Sequence, residues 1–406
     1  MAPRSPEASI ESAAAQLLLC CARATLEPHA RAKLERLAGA GIDWNELIAL
    51  AETHALLPLV YRHLNEVAPT SLPRPVWVEL WGRHERTART NRAMAKELVS
   101  ILAALDAIGV AAIAYKGPTL ALFLYGDVAL REFCDLDILI RAEDVPRAKD
   151  ALRRLGYLPE YPLDAAVEAA FLRAPSQYHL VLARADETMV ELHWKTDADF
   201  PVERGSDDAW WSQLRRARFE DGMVRAFAAH ELLLVLCLHG SKHGWERLAW
   251  LADVAEMIRA HADLDWGWIF ARAQSLGCAR RLALGLHLAQ ELLDAPLPEA
   301  VQRQAAAQPG VARLAAGIRE SLFARDAAPL NALQRLWFNL SLYERTSHRL
   351  AHVVNTVWAP SLVEWMRWPL PRALFFLYPP LRLMRLTWKY CRRPPGQGRS
   401  APAKPV

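Results

Sequence analysis

Two aspartates one residue apart, Asp135-Leu136-Asp137, stand directly before the apolar run Ile138-Leu139-Ile140. On a β-strand the side chains alternate between faces, so Asp135 and Asp137 project together while Leu136 turns into the core. Two neighbouring carboxylates repel unless positive charge lies between them. A hard divalent cation supplies that charge, and magnesium favours carboxylate oxygens combined with substrate phosphates. Alone, so short a pattern is more often two solvated acids at a strand start. A third acid changes its weight. Residues 178–184 and 188–194 both alternate, with Ala185-Asp186-Glu187 between them as a hairpin turn. In the second of these strands Glu191 and His193 share one face, and Leu192 and Trp194 the other. A hairpin lying beside the aspartate strand would bring Glu191 to the acid pair. Three carboxylates on adjacent strands suit two metals clamping the attacking and leaving oxygens of a phosphoryl displacement. The third acid could equally serve as general base toward a hydroxyl.

These residues need a sheet to hold them. Upstream, the apolar run 111–115 reads as a short strand that ends at the turn signal Lys116-Gly117-Pro118, and 119–125 has helical spacing. Downstream, 143–155 reads as a helix stopped by Gly156, 157–160 as a short strand and 163–172 as another short helix before the hairpin. Neither G-x-x-x-x-G-K-[ST] nor a helix-opening G-x-G-x-x-G is present, which weakens P-loop and Rossmann readings. Helical periodicity precedes this core at 10–24, 30–39 and 44–53, and over the long stretch 75–108, where Pro75 suits the first turn and Gly109 the stop. Residues 200–221, with Trp210-Trp211, read as an irregular, charged linker or lid. Helices follow over 229–240, 247–262, 266–275, 279–293 and 298–308. His54 reads as a packed or surface histidine.

The ordered set Lys116-Gly117, Arg131, Asp135-x-Asp137, a helix ending near Gly156-Tyr157, and Glu191-Leu192-His193-Trp194 resembles the nucleotidyltransferase superfamily related to DNA polymerase beta. More narrowly, it resembles the bacterial "uncharacterised nucleotidyltransferase" family, whose members show an LKG turn, an R-x-x-x-D-x-D segment and a D/E-x-H-W strand. The superfamily's usual Gly-Ser pair is Lys116-Gly117 here, so a serine contact to phosphate is missing. The likeness continues in His239-x-x-Lys242-His243, Trp245 and Leu248-x-Trp250-Leu251-x-Asp253, which resemble the family's helical partner.

The resemblance implies an α+β fold, with a small mixed β-sheet nucleotidyltransferase core flanked by N-terminal helices and a C-terminal helical domain. The expected divisions are an N-terminal helical region (1–109), the core (110–200), a linker or lid (201–228), the C-terminal helical domain (229–391) and a disordered tail (392–406). The implied activity is transfer of a nucleoside monophosphate from an NTP to an acceptor hydroxyl, an EC 2.7.7-type reaction dependent on Mg²⁺, or Mn²⁺ in its place. Asp135, Asp137 and Glu191 would be the catalytic, metal-holding acids. Lys116, Gly117, Arg131, His193, Lys242 and His243 would bind the nucleotide, with Lys242 neutralising phosphate. For Asp253 and Trp245 a structural role is favoured. Phosphoryl transfer from the same constellation, and a non-catalytic nucleotide-sensing or partner-binding protein, remain open, and the acceptor is unspecified.

Composition narrows the partners. The chain has 406 residues, 52% hydrophobic and 23% charged, enough for a sizeable core and two or three subdomains. A net charge of +4 is too small to argue for a long nucleic acid. Six scattered cysteines lack metal-ligand spacing, so reduced thiols and a cytoplasmic location are expected. Cys134, beside Asp135, reads as a small core residue rather than a nucleophile. No secretory signal is expected from the polar opening residues, and no transmembrane helix is expected, since no apolar run reaches bilayer length. From Trp358 the sequence turns aromatic, apolar and basic, with Arg382, Arg385 and Lys389 in its last helix. That segment either covers the core or makes a peripheral contact with a membrane or protein.

Overall fold

The structure is a computed structural model that describes residues 10–174, 176–196, 211, 214–220, 222–324, 331–368 and 370–391. The chain divides into two compact units. The first comprises Met1–Val99, Tyr115–Phe133 and Trp210–Glu344; the second comprises Ser100–Ala114, Cys134–Ala209 and Arg345–Val406. Residues 1–9 and the expected C-terminal tail at 392–406 lie outside the described residues.

The second unit is built on a five-stranded mixed sheet. Its strands are β1 (Ala112–Ala114), β2 (Asp135–Ile140), β3 (Leu158–Pro159), β4 (His179–Ala183) and β5 (Met189–His193), in the order β1-β2-β5-β4-β3. Only β2 and β5 are parallel; the other neighbours are antiparallel. The alternation in the sequence sorts cleanly onto the two faces. Leu136, Ile138, Ile140, Leu180, Leu182, Val190 and Leu192 form one face, and all are buried. The opposite face carries the acids and histidines. On the apolar side Phe171, from the helix Ala165–Arg173, meets Trp194 edge-on at 6.1 Å. The helix Val145–Arg154 buries Val145, Ala148, Ala151 and Leu152, a helical stripe, and its Lys149 pairs with Glu168 of the next helix. Gly156 ends it at φ +90°, where a side chain would be strained.

The C-terminal part of this unit is helical, with Thr346–Val357, Leu362–Arg367 and Tyr378–Cys391. Glu364 is fully buried there. It closes a reciprocal cap with Ser361 and pairs with Arg385 and, at 3.2 Å, with Arg382. Those partners hold its carboxyl below the usual range against the opposing effect of burial. Trp365, Phe375 and Tyr378 pack ring to ring beside it.

The first unit is largely helical. Its N-terminal helices are Ala13–Cys21, Pro28–Gly39, Trp44–Thr53 and Leu57–Val67, followed by the first part of Arg74–Ala107. The later helices include Ala229–Lys242, Leu248–Ala260 and Ala279–Leu293, whose apolar faces are buried together. Where the sequence reads as irregular over 200–221, the structure forms β6 (Arg215–Phe219), paired antiparallel with β7 (Gly222–Ala226). The cause of the difference is composition: Arg215-Arg216-Ala217-Arg218 is largely exposed and has no apolar alternation to read. Trp210 is outside the described residues. His54 is a packed histidine: one ring nitrogen donates to the Leu322 carbonyl at 2.9 Å, and the other accepts from the Leu248 amide at 3.3 Å.

Candidate active site

The parallel ladder sets the site. Its register places Asp137 of β2 opposite Glu191 of β5, so the two carboxylates leave adjacent strands on the same face. His193, two residues beyond Glu191, points the same way. Its Nε2 lies 3.0 Å from Asp137 Oδ1 and 3.1 Å from Glu191 Oε2. An N–H at that nitrogen can donate to either carboxylate or be shared between them. Asp137 and His193 are buried, and Glu191 is half-buried.

Electrostatics at Glu191 follow from this packing. Burial opposes its charge, and the Asp137 carboxylate opposes it further. The hydrogen bond from His193, with the His193 and His179 charges, outweighs both and brings the carboxyl down to about 2. His179 enters because β4 pairs antiparallel with β5, bringing it opposite His193. The two imidazoles stack with centroids 5.2 Å apart, Tyr178 lies 4.2 Å from the His179 ring, and His179 Nε2 is 3.9 Å from Glu191 Oε1.

Potential ligand atoms of Asp137, Glu191 and His193 all lie within 4.8 Å of one another. Two carboxylates and an imidazole, carried on paired strands, suit a divalent cation. The carboxylates favour magnesium or manganese, while the nitrogen adds a donor that manganese accepts more readily. Asp135 is one step along the same face at the start of β2, opposite Met189, and is half-buried. His193, assigned to the nucleotide by sequence, is thus placed between two of the acids. His179 escaped the sequence reading altogether. The signal for it was the alternation of β4, which puts it on the acidic face once the hairpin register is known.

The other sequence-selected residues belong to the first unit. Lys116 precedes the helix Gly117–Tyr125, and its Nζ lies 5.1 Å from the Tyr115 ring centroid. Gly117 has φ +53°, a turn conformation that favours glycine. The opening turn of a helix carries amide N–H groups without intrahelical partners, which is anion-binding chemistry. Arg131 is gripped by Asp253: Nε is 3.0 Å from Oδ1 and Nη2 is 2.9 Å from Oδ2. Tyr125 donates its hydroxyl to the same Oδ1 at 2.9 Å, and Asp253 is buried. Asn91 donates to the carbonyls of Val128 and Arg131, fixing the backbone on which Arg131 stands. Asp253, given a structural role by sequence, is therefore the residue that orients Arg131.

Lys242 ends the helix Ala229–Lys242, and His243 is its cap residue. The rings of His239, His243 and Trp250 cluster with centroid separations of 4.7, 5.5 and 5.1 Å. Trp245 is fully buried against Gly240 and Gly285; a Cβ on Gly240 would lie 2.2 Å from its ring. This explains the Gly and Trp of the segment as packing partners.

A family model described as "Uncharacterised nucleotidyltransferase" matches residues 40–294. Among solved structures, the chain is similar to the antibiotic-resistance factor ANT(2'')-Ia, with 15% identity and a TM-score of 0.27 over 53% of this chain and 95% of that one. It is also similar to an antigenic nucleotidyltransferase-like protein from Paracoccidioides brasiliensis, with 16% identity and a TM-score of 0.34 over 54% of this chain and 97% of that one. No curated protein matches the chain.

Proposed function

The chain belongs to the uncharacterised nucleotidyltransferase family, and from that premise we propose that it transfers a nucleoside monophosphate from an NTP to an acceptor hydroxyl. The observation that carries the reading is the convergence of Asp137, Glu191 and His193 on one sheet face, with ligand atoms within 4.8 Å. Asp137, Glu191 and His193 would hold a divalent cation, magnesium or manganese, with Asp135 beside them. When bound, such an ion neutralises charge developing on phosphate oxygens and favours ionisation of an attacking hydroxyl.

The remaining roles belong to the chain's own side chains. Glu191, kept ionised by its histidine neighbours, is suited to hold the cation, whereas a carboxyl lowered this far is a weak base toward an acceptor hydroxyl. Without the ion, His193 Nε2 carries the proton that faces Asp137 and Glu191, and it would have to give up that proton to join them as a ligand. Lys116, Gly117 and Arg131 are assigned to the triphosphate on the strength of the family resemblance, and Lys242 and His243 to the nucleotide. Lysine supplies a mobile point charge, whereas Arg131 supplies a planar fork that Asp253 holds in one orientation. Neither substitutes for the other. The division into a core at 110–200 and a helical domain at 229–391 is part of the same proposal.

Calorimetry tests it. ATP and GTP are titrated into wild type and into Asp137→Asn and Glu191→Gln variants, with and without Mg²⁺ or Mn²⁺, and circular dichroism verifies folding. Metal-dependent binding weakened by about tenfold or more in both variants is expected, corresponding to at least ~1.4 kcal/mol. Binding indifferent to metal and to both substitutions would overturn the proposal. The mass of the modified acceptor then separates nucleotidyl from phosphoryl transfer.

A further inference from the structure

The C-terminal helices of the second unit expose large apolar side chains to solvent. Along Thr346–Val357 and its cap, Leu350, Val354 and Trp358 recur at helical spacing, and all are exposed. Farther on, Phe376 is 69% exposed, and Met384 and Trp388, one turn apart on Tyr378–Cys391, are each 55% exposed. These side chains are not strays from a loose segment. The same helices are held from within by the buried Glu364–Arg382–Arg385 cluster and the Trp365–Phe375–Tyr378 stack. A scaffold that buries one set of aromatics while directing another outward presents a surface that favours contact with a partner.

Charge identifies the partner. Between residues 345 and 391 the sequence has seven Lys or Arg and one acid, Glu364. Glu364 is fully buried and paired with two of the arginines, so it gives the surface no negative character. Arg349, Arg367 and Arg372 are exposed. The sequence beyond, 392–406, adds Arg392, Arg393, Arg399 and Lys404, again without an acid. Outward Trp, Phe, Leu and Met beside arginine are the chemistry of a bilayer interface, where apolar groups enter the acyl boundary and cations meet anionic headgroups. A nucleic-acid backbone would answer the arginines but not Leu350, Val354 and Met384. Among the described residues no helix is long and apolar enough to cross a membrane.

We propose that residues 346–391 form a docking surface for an anionic lipid bilayer, on which the protein lies without spanning it. The inference is independent of the chemistry assigned to Asp137, Glu191 and His193. It is tested by flotation of the full chain with vesicles of phosphatidylcholine alone and of phosphatidylcholine with phosphatidylglycerol, at low and high salt. Wild type is expected to float with the anionic vesicles, less so at high salt, and to stay behind with the neutral ones. Trp358→Ala/Trp388→Ala and Arg349→Glu/Arg372→Glu, with unchanged melting by circular dichroism, should each float roughly tenfold less or weaker still. Two results would overturn the proposal: wild type that fails to float with anionic vesicles, or flotation unaffected by headgroup charge, salt and both variant pairs. Light scattering supplies a third arm. Self-association that is lost in the tryptophan variant, without flotation of wild type, would make a second copy of the chain the occupant and sink the lipid assignment. Should the tryptophan variant fail to fold, headgroup and salt dependence in wild type, with the exposed arginine pair, still decide.

Discussion

His193 sits between two carboxylates because the period of a strand puts it two residues from Glu191 and the β2–β5 register puts Asp137 across from that glutamate. Removing the imidazole takes away the Nε2 contact that Asp137 and Glu191 share. His193→Ala should therefore lose about 2–4 kcal/mol of stability in urea melts near neutral pH. Asp137→Asn/His193→Ala should recover part of that loss, because the repulsion has gone; additive losses in the cycle would contradict the account. Arg131 and Asp253 make a second such test. Arg131→Lys keeps the charge but cannot reproduce the fork, and Asp253→Asn removes the charge that holds it. Each should cost about 3 kcal/mol or more, with Arg131→Met/Asp253→Leu less damaged than the sum of its single substitutions. His54 gives a pH dependence. Burial, with a smaller contribution from Arg247, lowers its pKa to about 4, against an ordinary value of 6.5, while the Leu322 carbonyl works the other way. The unfolded chain thus takes up the proton first as pH falls. The stability owed to neutral His54 is complete above about pH 6.5, declines toward pH 4 and is then exhausted, a swing of order 3 kcal/mol. Urea melts of wild type across that window should show a steeper acid loss than those of His54→Gln.

At the scale of elements, glycines separate packing from propensity. Gly240 lies inside the helix Ala229–Lys242, where alanine would ordinarily stabilise by about 0.5–1 kcal/mol. A Cβ there meets the Trp245 ring at 2.2 Å, so Gly240→Ala should instead destabilise by about 2–3 kcal/mol. Gly317, inside Val311–Leu322, has nothing within 4 Å of the same added atom, and Gly317→Ala should stabilise by about 0.5–1 kcal/mol. Thermal melts of the two variants should move in opposite directions. The sequence made the core elements legible because their apolar residues follow strand or helix periods: β2, β4, β5 and the helix Val145–Arg154 are each visible as a pattern. It hid β6, where exposed arginines supply strand length without alternation, and β7, where an outward Met223 beside the inward Val224 blurs the apolar pattern.

For the whole molecule, the acids of the candidate site were legible as residue types, and their shared face followed from alternation. The hairpin was legible too, but its pairing with the aspartate strand stood only as a condition, because sheet order is decided by packing between segments far apart in sequence. The place of His193 between Asp137 and Glu191 follows from that pairing, and the place of His179 on the acidic face from the register within the hairpin. The pairing of Arg131 with Asp253 escaped for the same reason: a guanidinium in a sequence does not announce which carboxylate will hold it. The cysteines offer a global probe. Cys20, Cys21, Cys237 and Cys278 are buried and Cys134 is half-buried, and none of these five is in a disulfide. Burial pushes the thiols of Cys20, Cys21 and Cys237 upward, away from reactive thiolate. In a Cys391→Ser background, Ellman's reagent should modify Cys134 first and the buried four only as urea unfolds the chain. Comparable native-state rates for all five would contradict this burial.

The single parallel pairing in the sheet also governs how the site comes into being. The β4–β5 hairpin can close locally through its short turn, and β1 and β2 are joined through one α-helix and a short 3-10 helix, Val128–Leu130. The β2–β5 ladder links these two pieces and must close the much longer loop between them, so it is the costly step in chain entropy. Asp137 and Glu191 are strangers along the chain and meet only across that seam. The carboxylate cluster is therefore assembled by the same event that completes the sheet, and a chain arrested before it carries both acids without a site.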